Sequence, residues 1–198
     1  MNKSIIVAVD EKWGIGKDGV LPWHIPEDLK RFKELTKNSI CIMGYNTYKE
    51  IAQRFNYEET RKFLPFRLSI VITKRFIPHS GNCNDDIIKN GLVLSSRSIT
   101  EALDLVSNRK EDIFFLGGVG IFKESIDLVD KIYFTFVKGE FNCDVKFPLN
   151  ARLCNNRKTP LQPRNYNEYK KDEIGNEFCF KTVQILEWVW KYLMLLSF

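Results

Sequence analysis

This chain has no CxxC pair and no Cys/His ligand spacing, and its five cysteines, Cys41, Cys83, Cys143, Cys154 and Cys179, are odd in number. Neither a zinc site nor a disulfide framework is implied, and free thiols fit a reducing, cytoplasmic setting. Long hydrophobic runs are missing as well. The opening MNKSIIVAVDE has too short an apolar part for a signal-peptide core and meets charge at once. The closing QILEWVWKYLMLLSF has 15 residues and is broken by Glu187 and Lys191, short of the roughly 18 to 20 needed to span a bilayer. The net charge of +5 favours anionic ligands, yet no basic stripe or aromatic platform accompanies it, which argues against nucleic acid as a partner. No internal period or low-complexity run is visible. At 198 residues, 28% charged and 44% hydrophobic, the chain reads as one ordinary globular domain.

Short β-branched and aromatic runs recur at 5–9, 40–43, 68–73, 91–95, 113–116 and 131–137, each of strand length. Helical patterns fall between them at 26–37, 47–54, 99–107 and 119–128. This alternation predicts an α/β sheet with helical crossovers. Phe178 and Phe180 mark one more strand, expected to pair antiparallel with 131–137 after the long loop 150–167.

One charge is out of place. Turned at about 100° per residue from Asp28, a helix starting near Pro26 puts Leu35, Phe32, Thr36 and Leu29 between about −20° and 100°. Asp28 sits inside that apolar arc, while Glu27, Lys30, Arg31, Lys33, Glu34 and Lys37 fall on the face expected to meet water. A carboxylate there costs desolvation energy unless a donor meets it, and paired N–H groups on an amidine-like heterocycle match it bidentately. Asp28 therefore reads as a ligand hook. The simpler alternative is a first-turn acid that stabilises the helix dipole.

Two glycine-bearing segments follow strands directly. In FFLGGVGIFKESI, Gly117 and Gly118 precede a helix, and in CIMGYNTYKEI, Gly44 precedes Asn46 or Thr47 as candidate caps. Neither is a GxGxxG dinucleotide fingerprint. Past another strand end lie Thr73, Lys74 and Arg75, a hydroxyl with two cations, which suits either a phosphate monoester or a solvated turn.

Taken in order, GIGKDGVLPWHIPEDLKRFK, IMGYNT, LPFRLSIVIT, FFLGGVGIF, IYFT and DVKFP resemble dihydrofolate reductase over roughly residues 4 to 183. The resemblance implies a mostly parallel eight-stranded sheet with flanking helices and an antiparallel C-terminal edge. It implies dihydrofolate as small-molecule substrate and NADPH as cofactor, with no metal. Asp28 would bind the pterin, supported by the Thr135 hydroxyl, and Ile6, Val7, Leu29, Phe32, Ile51, Leu64 and Leu116 would line the pocket. Arg67 would bind the substrate's glutamate carboxylate, and Trp23, on the loop 15–24, would close over the site. Ala8, Ile15, Gly16, Gly44, Tyr45, Asn46, Thr47, Gly117, Gly118, Val119, Gly120, Ile121 and Phe122 would contact NADPH, with Thr73, Lys74, Arg75 and Arg97 near its 2′-phosphate.

The chain departs from the family's usual pattern at several points. Tyr45 stands where relatives carry arginine or lysine, so NADPH preference is expected to lean on Lys74. Phe122 stands where many carry tyrosine, Val119 replaces a third glycine, and the segment AQRFNYEETRKF is longer than usual. Residues 1–183 are expected to form the catalytic domain of a monomeric protein, and 184–198 an apolar extension whose role stays open: packing on the domain or on a second copy, docking at a membrane interface, or a junction with a partner domain, since some relatives are fused to thymidylate synthase. Rival readings are the NADPH-dependent reductase of riboflavin synthesis and a catalytically silent nucleotide-binding module. The spacing of Trp23 and Asp28 argues against the first, and the joint presence of Asp28, Arg67 and Thr135 against the second.

Overall fold

The computed structural model describes residues 1–54, 56, 63–75, 91–148 and 169–184. The expected loop 150–167, most of the long segment after Gln53 and the tail from 185 lie outside the described residues. In chain order the elements are β1 Lys3–Val9, β2 Gly14–Gly16, α1 Pro26–Thr36, β3 Ile40–Gly44, α2 Tyr45–Arg54, β4 Leu68–Ile72 and β5 Leu92–Ser96. There follow α3 Ile99–Leu105, β6 Ile113–Gly117, α4 Val119–Ser125, β7 Lys131–Val137, β8 Val145–Lys146, β9 Lys170–Lys171 and β10 Glu177–Gln184.

Eight strands form one sheet in the order β5-β4-β3-β6-β1-β7-β10-β9, and β2 pairs with β8 in a separate ribbon. The ladders from β5 to β7 are parallel, whereas β10 runs antiparallel to both β7 and β9. The expected architecture is therefore present. Parallel neighbours need helical crossovers that cover both faces, which is why the central strands are mostly apolar. In β3, Ile40, Cys41, Ile42 and Met43 are all fully buried. β7 instead alternates: Ile132, Phe134 and Phe136 enter the main core, where Trp13 packs edge-on against both phenylalanines. Tyr133 and Thr135 consequently face the other side of the sheet.

The ladder between β1 and β6 stops at Ile5↔Phe115, although β1 continues to Val9 and β6 to Gly117. Beyond that point the two strands part at their carboxyl ends, on the β1–β6 seam that the chain crosses to reach β3. Open α/β sheets bind ligands at such places.

The strand and helix expectations hold within a few residues, with two corrections. α2 begins at Tyr45, immediately after β3, so Asn46 and Thr47 lie inside its first turn instead of capping it. Arg31 is half-buried, whereas Glu27, Lys30, Lys33, Glu34 and Lys37 are exposed as expected. At about −60° on the helical wheel it borders the apolar arc, and its long stem carries the guanidinium over the sheet.

Candidate active site

Helix α1 starts with Pro26, whose fixed φ and missing N–H suit the first helical position. Ile25 precedes it without a side-chain cap, which leaves Glu27 and Asp28 as the acidic first turn. From there Asp28 projects toward β7, and the Thr135 hydroxyl donates to its Oδ1 at 2.5 Å. Burial pushes the Asp28 carboxyl up from its ordinary range, opposed by the Thr135 hydrogen bond and by the nearby positive charge of Arg31.

Asp28 opens onto a cavity of about 1010 Å³ along the β1–β6 split. All the apolar residues expected around the substrate, Ile6, Val7, Leu29, Phe32, Ile51, Leu64 and Leu116, line it. Arg67 lines it too, and it is 4% exposed. Its guanidinium donates from Nε to Thr36 Oγ1 at 2.8 Å, from one terminal nitrogen to the Lys33 carbonyl at 2.7 Å, and from the other to the Pro65 carbonyl at 2.5 Å. A guanidinium has five N–H groups, so one remains on each terminal nitrogen.

At the other end, Ala8, Ile15, Thr47, Gly117, Gly118 and Phe122 complete the wall. The Gly117–Gly118 peptide is cis, and Gly117 has φ 113°. Only glycine adopts that backbone readily, and a Cβ at Gly117 would approach Phe122 to 3.1 Å. Gly44 lies against the same ledge: its Cβ would meet the Gly118 nitrogen at 3.5 Å. Ile121 packs below, in the main core.

The remaining expected residues lie outside the cavity wall. Gly16 is in β2, Tyr45 and Asn46 open α2, and Val119 and Gly120 open α4. Thr73, Lys74 and Arg75 follow β4, and Arg97 follows the adjacent β5. The Arg75 guanidinium sits 4.7 Å above the Tyr45 ring, and the Thr73 hydroxyl accepts from the Arg75 backbone N–H. Cations therefore collect at the carboxyl ends of two neighbouring strands.

Trp23 also stands back from the cavity, buried beside Ile25, Val137 and Phe178, with its ring edge-on to Phe141. Its indole N–H has no partner among the described residues. The loop before it is tethered by the Asp18 N–H to Asp144, at 3.2 Å.

Several wall residues were not expected from sequence. Leu21, Lys30, Lys33, Glu50, Arg54, Pro65 and Phe66 all reach the cavity. A signal for two of them was available, because Thr47, Glu50, Ile51 and Arg54 share one face of α2 at i, i+3, i+4, i+7. Among the described residues no cluster of His, Cys, Asp or Glu could hold a metal ion, and no helix is long and apolar enough to cross a membrane.

The family model for dihydrofolate reductase matches residues 3–180. Dihydrofolate reductase type 9 of Escherichia coli is 32% identical over 147 residues, covering 74% of this chain and 76% of that protein. A bifunctional dihydrofolate reductase-thymidylate synthase of Glycine max is 32% identical over 158 residues, which cover 73% of this chain and 27% of the plant protein. Among solved structures, a dihydrofolate reductase from Enterococcus faecalis complexed with NADP(H) and RAB-propyl matches with TM-score 0.63 at 26% identity, over 92% of this chain and 95% of that one. With the fold, the split-sheet cavity and these likenesses in agreement, the chain belongs to the dihydrofolate reductase family, the oxidoreductases that reduce dihydrofolate to tetrahydrofolate with NADPH.

Proposed function

We propose that this chain binds 7,8-dihydrofolate with its pterin on Asp28 and its glutamate on Arg67, and reduces it to 5,6,7,8-tetrahydrofolate for thymidylate, purine and one-carbon metabolism. The observation that carries this reading is the Thr135–Asp28 pair, a part-buried carboxylate held at one end of a cavity whose other end is a glycine ledge. The Thr135 hydrogen bond leaves the second carboxylate oxygen of Asp28 for a ligand. Adjacent N–H donors at N3 and the 2-amino group of a pterin match a carboxylate bidentately. Arg67 has two N–H groups left on its terminal nitrogens, the fork that a carboxylate accepts.

The residues present fit NADPH. Gly44, Gly117 and Gly118 leave backbone bare beside the cavity, and Lys74, Arg75 and Arg97 gather beyond β4 and β5 for a 2′-phosphate. Arg75, stacked on Tyr45, brings a cation to the position where Tyr45 itself lacks one. NADPH supplies a hydride from nicotinamide C4 to pterin C6. Asp28 tunes the pterin so that N5 gains a proton from water, since no basic side chain is assigned to N5. Ile6, Leu29, Phe32 and Leu116 exclude solvent from the reacting rings. Trp23 anchors the end of the loop 15–24 by packing against Ile25, Val137 and Phe178. Residues 1–183 carry this chemistry, so removal of 185–198 is expected to leave catalysis intact in a soluble, folded truncation.

The test is NADPH consumption with dihydrofolate by the wild type and Asp28→Asn. The change keeps size and removes charge, and kcat/KM is expected to fall about 100-fold or more while NADPH affinity stays within about twofold. Equal kcat/KM in the two proteins would remove Asp28 from the reaction.

A further inference from the structure

Arg31 is the one charged residue of α1 that the helical pattern assigned to water and the fold turned inward. Its guanidinium lies 4.4 Å from the Phe180 ring centroid and 5.8 Å from that of Tyr133. One terminal nitrogen donates to the Phe134 carbonyl at 3.1 Å and reaches Thr135 Oγ1 at 3.5 Å. Thr135 in turn donates its only hydroxyl hydrogen to Asp28. The order of these contacts fixes the polarity of the relay: guanidinium to hydroxyl oxygen, hydroxyl hydrogen to carboxylate. At 3.5 Å the first link is long, so it acts mainly through charge. A permanent cation seated on two aromatic rings and half-buried beside a part-buried carboxylate favours the ionised form of that carboxylate.

We propose that Arg31 is a positioning residue for Asp28: by its charge and its contact with Thr135 it holds the carboxylate aimed into the cavity for the ligand, a role that grows as pH falls. The proposal rests on the reading of Asp28 as the pterin acid.

Two independent features support it. Arg31 and Asp28 stand three positions apart on α1 while Thr135 comes from β7, so helix and strand are both needed to assemble the relay. The remaining charged or titratable groups near Asp28 cannot replace Arg31. Tyr133 and Cys179 lie on Arg31's side and carry no positive charge. On the cavity side, Lys30, Lys33 and Arg54 are exposed, Glu50 pairs with Arg54, and Arg67 is held by Thr36, Lys33 and Pro65. Burial raises Asp28, and the Arg31 charge is one of the influences that bring it back.

The experiment measures the affinity of a 2,4-diaminopyrimidine for the full chain between about pH 5 and pH 8, above the ordinary aspartate range, the direction in which burial moves Asp28. Arg31→Gln is expected to lose about tenfold more affinity than the wild type on going from pH 8 to pH 5, with a much smaller change at pH 8. Arg31→Lys is expected to restore most of the wild-type profile. Arg31→Met keeps the apolar stem on Phe180 and serves as the neutral variant if glutamine does not fold. Curves for the neutral variants that run parallel to the wild type overturn the proposal, because packing alone lowers affinity equally at every pH. Asp28→Asn separates the two readings: loss of its acid limb supports Asp28 as the ligand's acid, and a retained acid limb overturns that assignment whatever Arg31 does.

Discussion

Thr135 on β7 donates its hydroxyl to Asp28 on α1 at 2.5 Å, joining a strand and a helix that are 107 positions apart in sequence. Burial still outweighs this bond, and the Asp28 carboxyl remains raised. A group whose folded pKa is raised favours the fold below its unfolded pKa, and that contribution is lost as pH rises through the folded value. Ionised Asp28 therefore destabilises the fold at neutral pH. Asp28→Asn is expected to raise Tm at pH 7 by about 1–3 °C. Thermal melts at falling pH should show the difference closing as wild-type Asp28 takes up its proton.

Arg67 is expected to be intolerant of lysine. Lysine cannot reproduce a fork that serves Thr36, Lys33 and Pro65 together while leaving donors for a ligand. Arg67→Lys should cost about 1–3 kcal/mol of stability in denaturant titration, because buried acceptors lose their donors. In kinetics it should raise KM for dihydrofolate about 100-fold, while a dihydropterin without the benzoylglutamate changes less than about threefold.

The glycines near α4 should separate into two kinds. At Gly117 the backbone has φ 113° and an added Cβ would lie 3.1 Å from Phe122, so alanine should lower NADPH affinity about tenfold or more in a fluorescence titration. Gly120 is helical, and a Cβ there meets nothing within 4 Å. Gly120→Ala should stabilise the apo protein by about 0.5–1 kcal/mol.

The cations past β4 should set the choice between NADPH and NADH. Lys74→Ala and Arg75→Ala are each expected to lower the NADPH/NADH ratio of kcat/KM by about tenfold, through loss of a charge-assisted phosphate contact. NADH kinetics should hardly move.

Much of this was legible because the sequence is locally consistent. The run Ile40 to Met43 read as a strand and is one, and the β7 run KIYFTFV matched its strand at both ends. Asp28 was legible for the opposite reason, as a charge that broke its helix's apolar arc. Short elements escaped: β2, β8 and β9 have three, two and two residues and exist through their partners, with no periodicity of their own. Arg31 escaped because a helical wheel records where a Cβ leaves the axis and says nothing of where a long side chain ends. Lys30 and Lys33 reach the cavity while staying exposed, for the same reason.

The most direct test of the central claim uses NADPH carrying deuterium at nicotinamide C4, with dihydrofolate as acceptor, and locates the label in the product by NMR. The account predicts tetrahydrofolate with deuterium at C6, formed in step with NADPH oxidation and suppressed in Asp28→Asn. NADPH that binds but is not oxidised by dihydrofolate, or a product without deuterium at C6, would contradict it.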